Sequence, residues 1–383
     1  MLGLSRNVIL LGIISGLNDV GSEMLMPILP LLIVSLGGGP LAVGLIGGVG
    51  DMIATGLKLP SGWWSDRIGR RKPFLWIGYL SSALARLGLA AAATWQHVLI
   101  LRPLERAGKG IRDAPRDALI AESVAWGVRG AAFGLQRTLD TVGAIIGSIA
   151  AVMLIAVIGT QYQTIVLLAG AISLLSLIPM FFVKDVSKHA RKIALSIGLK
   201  ALPLPLRLYV AAATLFGMGN FTYMLFILRV QQLTGSVLTT VALYVVLNVL
   251  MAVMLVPAGR LADRIGRRNV LLFGWLLFAV VAAGFALATD MIMVAIMFAC
   301  YGIAYALFDG NQRALAADLA PAQLKGTALG TLHAAIGASG LIGGLVAGGL
   351  WQAINPTSAF MFSAILATCG AVLLLFAVPN TKP

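Results

Sequence analysis

The sequence predicts an all-α integral membrane protein: twelve transmembrane helices in two pseudo-symmetric six-helix bundles. Three observations predict it. The first is composition. Of 383 residues, 59% are hydrophobic and only 11% are charged, a ratio that lipid demands and a soluble domain does not need. A spanning helix takes about 20 residues, so twelve such helices with short loops use up this length. The second is a tandem repeat. The run Gly62-Trp63-Trp64-Ser65-Asp66-Arg67-Ile68-Gly69-Arg70-Arg71-Lys72-Pro73 returns as Gly259-Arg260-Leu261-Ala262-Asp263-Arg264-Ile265-Gly266-Arg267-Arg268-Asn269, displaced by 197 residues. Asp113, Gly130 and Gly134 return as Asp309, Gly326 and Gly330, displaced by 196. Two copies of one unit have been fused in tandem. The third is charge placement. Basic residues crowd alternate loops: Arg67 to Lys72, Arg129, Lys184 to Arg207, Arg260 to Arg268 and Lys325, with Arg6 and Lys382 near the ends. The intervening turns hold no Lys or Arg, and only Arg229 lies close to one. This is the positive-inside pattern. It assigns both termini and both repeated loops to the cytoplasm, and it requires an even number of spans. It also accounts for the net charge of +14 without nucleic acid.

Helices are expected at 7–35, 42–61, 74–94, 98–118, 131–158 and 164–183, then at 208–233, 236–257, 270–288, 291–316, 327–350 and 357–378. The domains follow: an N-terminal bundle over 1–183, a cytoplasmic linker over 184–207 and a C-terminal bundle over 208–383. The first apolar stretch carries Asp19 and Glu23 and runs on to Ser35, so no cleavable signal peptide is expected. The linker holds Pro203 and Pro205 and is amphipathic enough to lie on the membrane surface. Gly143 and Gly147, and Gly337, Gly340, Gly343 and Gly344, fall inside the fifth and eleventh helices. Small residues at such spacing let helices approach closely in lipid. Cys300 and Cys369 sit in apolar runs and read as packing residues rather than a disulfide or metal pair.

Ten basic residues remain in or near helices: Lys58, Arg86, Arg102, Arg106, Lys109, Arg112, Arg116, Arg137, Arg229 and Arg313. A charge at mid-bilayer costs several kcal/mol unless paired or wetted, so each is a functional candidate. Spacing sorts them. Asp19 and Glu23 are four apart and share one face of the first helix. Two carboxylates on one face, out of water, suit the binding and release of a proton. Asp51 and Lys58 share a face of the second helix. Arg102, Glu105, Arg106, Lys109, Asp113 and Arg116 form a stripe on the fourth, and Arg137 and Asp140 are three apart on the fifth. The same stripe also suits an internal ion-pair network that fixes helix register. Arg86 is expected to be structural, His333 to be a hydrogen-bonded core residue, and Lys58 and Arg116 lie where basic side chains snorkel.

The repeat supplies an internal control. Asp51 falls on Asn248, Asp19 on Asn220, Glu23 on Met224, Lys109 on Tyr305, Glu105 on Tyr301, Arg116 on Gln312, Arg137 on His333 and Asp140 on Ile336. Both copies must pack alike, so packing does not explain why only the first is ionisable. The first half therefore carries the ion chemistry, with Asp19, Glu23 and Asp51 as proton-coupling acids. Substrate contacts are expected from Lys58, Arg102, Glu105, Arg106, Lys109, Asp113, Arg137, Asp140 and Asp309. The neutral residues Asn220, Tyr223, Tyr244, Asn248, Tyr301, Tyr305 and Gln312 are expected to add hydrogen bonds and stacking.

The repeated run resembles the loop between helices two and three of the major facilitator superfamily, Gly-x-Leu-x-Asp-Arg-x-Gly-Arg-Arg/Lys. Gly259 to Arg268 matches it fully, and the first copy departs only at Trp64. The resemblance implies a transporter working by alternating access. It also implies that Asp66, Arg67, Arg70, Arg71, Asp263, Arg264 and Arg267 set a cytoplasmic gate. Arg106 to Asp117 is similar to a little-characterised prokaryotic branch. The family's fourth-helix motif places an Arg before Gln-Gly-x-Gly. Arg102 is its match, although Glu105-Arg106 stand where Gln-Gly would be. Gly143 and Gly147 match the fifth-helix antiporter motif, but Ser148 replaces its proline.

The expected function is proton-coupled export of a small organic molecule across a prokaryotic plasma membrane. The expected partners are the solute, protons and the lipid bilayer, and a monomer is expected. An organic-anion symporter or exchanger, a divalent metal exporter drawing on Asp19, Glu23 and Asp51, a transporter-like sensor and a lipid scramblase are the alternatives. No enzyme, cofactor, resident metal or nucleic-acid role is expected. Gly108-Lys109-Gly110 lacks the spacing of a phosphate-binding loop, and no Cys/His cluster or nucleophile elbow occurs.

Overall fold

The computed structural model describes residues 5–186, 202–321 and 324–379. Most of the expected central linker, and both chain ends, lie outside the described residues. The first repeat folds as α1 (Arg6–Leu25), α2 (Leu29–Ser35), α3 (Pro40–Ile68), α4 (Lys72–Ala90), α5 (Trp95–Glu122), α6 (Arg129–Ile158) and α7 (Tyr162–Leu175). The second folds as α8 (Leu204–Gly219), α9 (Tyr223–Thr234), α10 (Val237–Ile265), α11 (Arg267–Leu287), α12 (Met291–Leu319), α13 (Lys325–Ala353) and α14 (Pro356–Ala377). With α1–α2 and α8–α9 each crossing as one span, these make twelve.

Among the described residues, ten spans are long and apolar enough to cross a membrane on composition alone. The other two are α4 and α5. The eight ionisable side chains of α5 between Arg102 and Asp117 would be untenable facing lipid. The fold answers by packing α4 along α5, and Arg86, Arg102, Glu105, Arg112 and Asp113 are all buried.

Two helices expected as single stretches are broken. The first, expected over 7–35, stops at Leu25 and restarts at Leu29. Pro27 and Pro30 supply no backbone N–H there, which removes ladder hydrogen bonds. The seventh, expected over 208–233, breaks after Gly219, where Asn220 leaves the helical region at φ −84°, ψ 62°. No proline causes this second break. The freed Gly219 carbonyl accepts from Ser363 Oγ at 2.6 Å, and Thr222 Oγ1 accepts from the Met224 amide at 3.4 Å. In a membrane such side-chain partners are what make a broken helix tolerable.

The chain forms two compact units. One takes in the chain up to Gly37 and again from Ile53 to the central segment. The other takes in Gly38–Met52 and the chain after that segment. In the first, α1 packs on α6 and α7, and α4 on α5 and α7. In the second, α8 packs on α13 and α14, and α11 on α12 and α14. These are the same four pairings under the repeat, so the pseudo-symmetry is one of packing as well as sequence.

Glycine sets the close approaches. A Cβ at Gly143 would strike the Gly16 backbone, and one at Gly147 the Val20 backbone. Gly343, the repeat mate of Gly147, stands against Met218 in the same way. In the second unit, the first half of α3 lies on α13: Gly44 meets Gly344 backbone to backbone, Gly48 meets Leu341, and Gly348 meets Pro40 and Leu41. The Leu41 amide adds a hydrogen bond to Gln352 Oε1 at 3.3 Å. The second unit is otherwise an aromatic core. Phe216 stacks on Trp275 with centroids 4.4 Å apart, and Phe226 packs edge-on against Phe285 at 5.1 Å and Phe360 at 5.0 Å.

Candidate functional site

The charges of α5 separate into two groups. The deeper one is a closed triad. Glu105 accepts from Arg86 Nη2 at 2.7 Å and from Arg102 Nη1 at 2.6 Å, and all three side chains are buried. Arg86 Nη1 also reaches Ser173 Oγ at 2.5 Å, Asn18 Oδ1 at 3.1 Å and the Asn18 carbonyl at 3.2 Å. One carboxylate therefore ties together α4 and α5, and Arg86 extends the tie to α1 and α7. Arg102 Nη2 lies 3.3 Å from the Met26 sulfur, beside the first helix break. Arg112 donates to Ser82 Oγ at 2.8 Å and lies 4.4 Å over the Tyr79 ring. Arg102 and Glu105, expected among the substrate contacts, lie with Arg86 in this buried triad.

The second group is less buried. Asp113 pairs with Lys58 at 3.1 Å and with Arg116 at 3.9 Å. Arg116 also reaches Asp117 at 2.9 Å and Ser15 Oγ at 3.0 Å. Gln136 donates to the buried Asp140 and, at 3.4 Å, to Ser15 Oγ. Lys109 lies within electrostatic reach of Arg106, Asp113, Asp19 and Lys58. Asp19 is likewise within reach of Asp140. So Asp19, Lys58, Lys109, Asp113 and Asp140, drawn from four helices, form one connected field. Arg137, by contrast, is exposed.

Asp19, Glu23 and Asp51 are each partly buried. Asp51 is on the part of α3 that belongs to the second unit, within electrostatic reach of Tyr301. In that unit Tyr301 donates to Asn220 Oδ1 at 3.4 Å, at the break between α8 and α9. Tyr223 and Tyr244 have ring centroids 6.1 Å apart, and Tyr305 lies 5.1 Å from Phe308. Asn248 and Gln312 are buried, and the Gln312 carbonyl accepts from Tyr209 at 2.8 Å. Asp309 pairs with Arg313 at 2.5 Å, one turn along α12.

In the first repeated loop, Arg71 is the hub. Its guanidinium bonds Asp66, Ser65 Oγ at 2.6 Å and Glu122 at 3.3 Å. Burial alone would lower the Arg71 pKa, but the bonds and charges of Asp66 and Glu122 raise it above the ordinary arginine value. Asp185 accepts from the Arg71 and Lys72 amides at 3.1 and 3.3 Å, capping α4 from the end of the first repeat. In the second copy, Arg267 pairs with both oxygens of Asp318 at 2.7 Å. Arg67, Arg70, Asp263 and Arg264 are exposed, and Arg67 lies 5.3 Å over the Trp63 ring.

Glu122, Asp318 and Asp185 were not singled out from sequence. The first two carried a signal: they are displaced by 196, like Asp113 and Asp309. The neutral ligands Asn18, Ser82 and Ser173 carried none, because polar residues in apolar helices are common and only the fold shows which charge they meet.

A sequence profile described as Major Facilitator Superfamily matches residues 11–255 and 209–383. The chain belongs to the major facilitator superfamily. As a member it is a multi-pass secondary transporter that moves small molecules, and not an enzyme. It is 42% identical over 380 residues to the uncharacterized MFS-type transporter MJ1317 of Methanocaldococcus jannaschii, covering 97% of this chain and 95% of that one. It is 24% identical over 342 residues to the multidrug resistance protein MdtH of Edwardsiella ictaluri, covering 87% of this chain and 83% of that one. Among solved structures it is similar in fold to the nucleoside transporter NupG, with a TM-score of 0.76 at 15% identity over 97% of this chain and 98% of that chain. It is also similar to the human organic anion transporter MFSD10, with a TM-score of 0.68 at 18% identity over 96% and 99% of the two chains.

Proposed function

We propose that this major facilitator couples the export of a small organic molecule to protons across a prokaryotic plasma membrane. The observation that carries the reading is the field around Asp19. A carboxylate of α1 stands within reach of Lys109 and Asp140, where the second repeat has the untitratable Asn220. Glu23 and Asp51 are its partners in coupling, and their mates are Met224 and Asn248. Such acids change protonation as their surroundings alternate between wet and dry. The tyrosines and amides of the second unit supply substrate contacts. The name of the relative MdtH, a multidrug resistance protein, fits a small organic solute. Flux through proteoliposomes, with and without an imposed pH gradient, tests the reading: substrate movement indifferent to the gradient removes the coupling.

The two bundles, 1–183 and 208–383, act as the moving bodies, joined by 184–207, and the chain works as a monomer. Asp66, Arg67, Arg70, Arg71, Asp263, Arg264 and Arg267 form the cytoplasmic gate. The exposure of Arg70 and Arg264 makes them the positions to label. With Cys300 and Cys369 replaced by serine, cysteines at both positions are expected to react from the cytoplasmic side, and reaction from opposite sides would sink the topology. Spin labels on the same pair read the gate. Asp66→Asn should broaden their distance distribution, and an unchanged distribution removes the gating assignment.

A further inference from the structure

The membrane-embedded cations of the first unit are nearly all accounted for. Lys58 has Asp113, Arg86 and Arg102 share Glu105, and Arg116 has Asp113 and Asp117. Arg112 has Ser82 and the Tyr79 ring. Lys109 differs. Among the described residues, no hydrogen bond or ion pair holds its ammonium. Its neighbours in charge are Arg106 and Lys58, of the same sign, and Asp113 and Asp19. Asp113 is already shared between Lys58 and Arg116, which leaves Asp19 as the acid not committed to another cation.

A partly buried cation without an ion pair is costly inside a membrane protein. The fold does not require it, since the repeat mate of Lys109 is Tyr305. A helix can keep such a charge where an external ligand completes it. We infer that Lys109 receives the anionic group of the substrate, so that the transported solute is a small organic anion bearing a carboxylate or phosphate. Asp19 is the resting counter-charge from which that anion takes Lys109. Lys58, in the same field, adds attraction for the incoming anion while keeping its pair with Asp113. This deepens the proton-coupled reading above and rests on it for the role of Asp19.

The experiment is thermal unfolding of the purified full chain, in three arms. The first needs no ligand. Lys58→Gln breaks the ion pair to Asp113 and should lower the midpoint. Lys109→Gln breaks no such close pair and should lower the midpoint less or not at all, and a fall matching that of Lys58→Gln overturns the inference. The second uses benzoate, citrate and phenyl phosphate against benzamide and benzyl alcohol at equal ionic strength. At least one anion should raise the wild-type midpoint by several degrees. That rise should vanish in Lys109→Gln and survive in Lys109→Arg. Equal effects from the uncharged compounds, no effect from any anion, or a full shift in Lys109→Gln overturns it. The third adds phosphatidylglycerol to the micelles, and stabilisation by that lipid alone overturns the assignment to a soluble solute. The two readings fail separately. Anion binding through Lys109 with flux indifferent to a pH gradient removes proton coupling only. Gradient-driven flux of a cation or neutral solute, unchanged in Lys109→Gln, removes the anion only.

Discussion

Glu105→Gln is expected to be the most damaging single substitution in the first unit. Its carboxylate is fully buried and holds Arg86 at 2.7 Å and Arg102 at 2.6 Å, themselves 0% and 1% exposed. An amide keeps the shape but not the charge, and it would leave two buried guanidinium groups uncompensated. Removing one partner of a buried ionic network costs about 3–5 kcal/mol. The damage spreads, because Arg86 also holds Asn18 and Ser173 and so joins α1 and α7 to α4 and α5. Thermal unfolding and size-exclusion chromatography of the purified variant measure it. A midpoint within a degree or so of wild type would mean that the triad contributes nothing to stability. The triple replacement Arg86→Met, Glu105→Leu and Arg102→Met should recover much of the loss, since the network then has no charge left to satisfy.

Asp19→Asn and Asp51→Asn are expected to give the largest functional loss: gradient-driven transport abolished, with substrate exchange retained at least in part. Asparagine matches the volume and keeps hydrogen-bonding capacity, so packing is preserved while the titratable proton is lost. The second repeat shows that the scaffold accepts this residue, since Asn220 and Asn248 occupy the mated positions. Asn220→Asp and Asn248→Asp should not restore coupling, because Lys109 and Asp140, the charged groups within reach of Asp19, are in the first unit. Transport in proteoliposomes with and without a pH gradient is the measurement. If the neutral variants at Asp19, Glu23 and Asp51 all keep full gradient dependence, the proton sites lie elsewhere.

The helices were legible because two independent signals agreed. Apolar length marked the spans and loop charge marked the turns. Where only one signal operated, the sequence misled. Asn220-Phe221-Thr222 is apolar enough to read as helix, and nothing local announces that Ser363, far along the chain, will satisfy the Gly219 carbonyl. The charge stripe of α5 was equally visible, and its spacing grouped Arg102 through Arg116 on one helix. What spacing could not supply was Arg86. A lone arginine on α4 gives no hint that it meets Glu105, because that pairing is set by how two helices lie together. The gate arginines show the same division: Arg71 and Arg267 came from the motif, whereas their acids Glu122 and Asp318 came from the ends of α5 and α12.

The allegiance of α3 has a consequence for how the protein is made. Its first half, Gly38–Met52, packs with the second unit, where Gly44 meets Gly344 and Gly48 meets Leu341. Gly344 follows Gly44 by 300 residues. At roughly 5–20 residues per second, the ribosome delivers the partner about 15–60 s after the glycine face it must cover. Until then that face lacks the helix that covers it in the folded chain. The early half of the chain therefore cannot complete its own packing during synthesis, and α13, nearly the last helix to arrive, closes a surface laid down at the start.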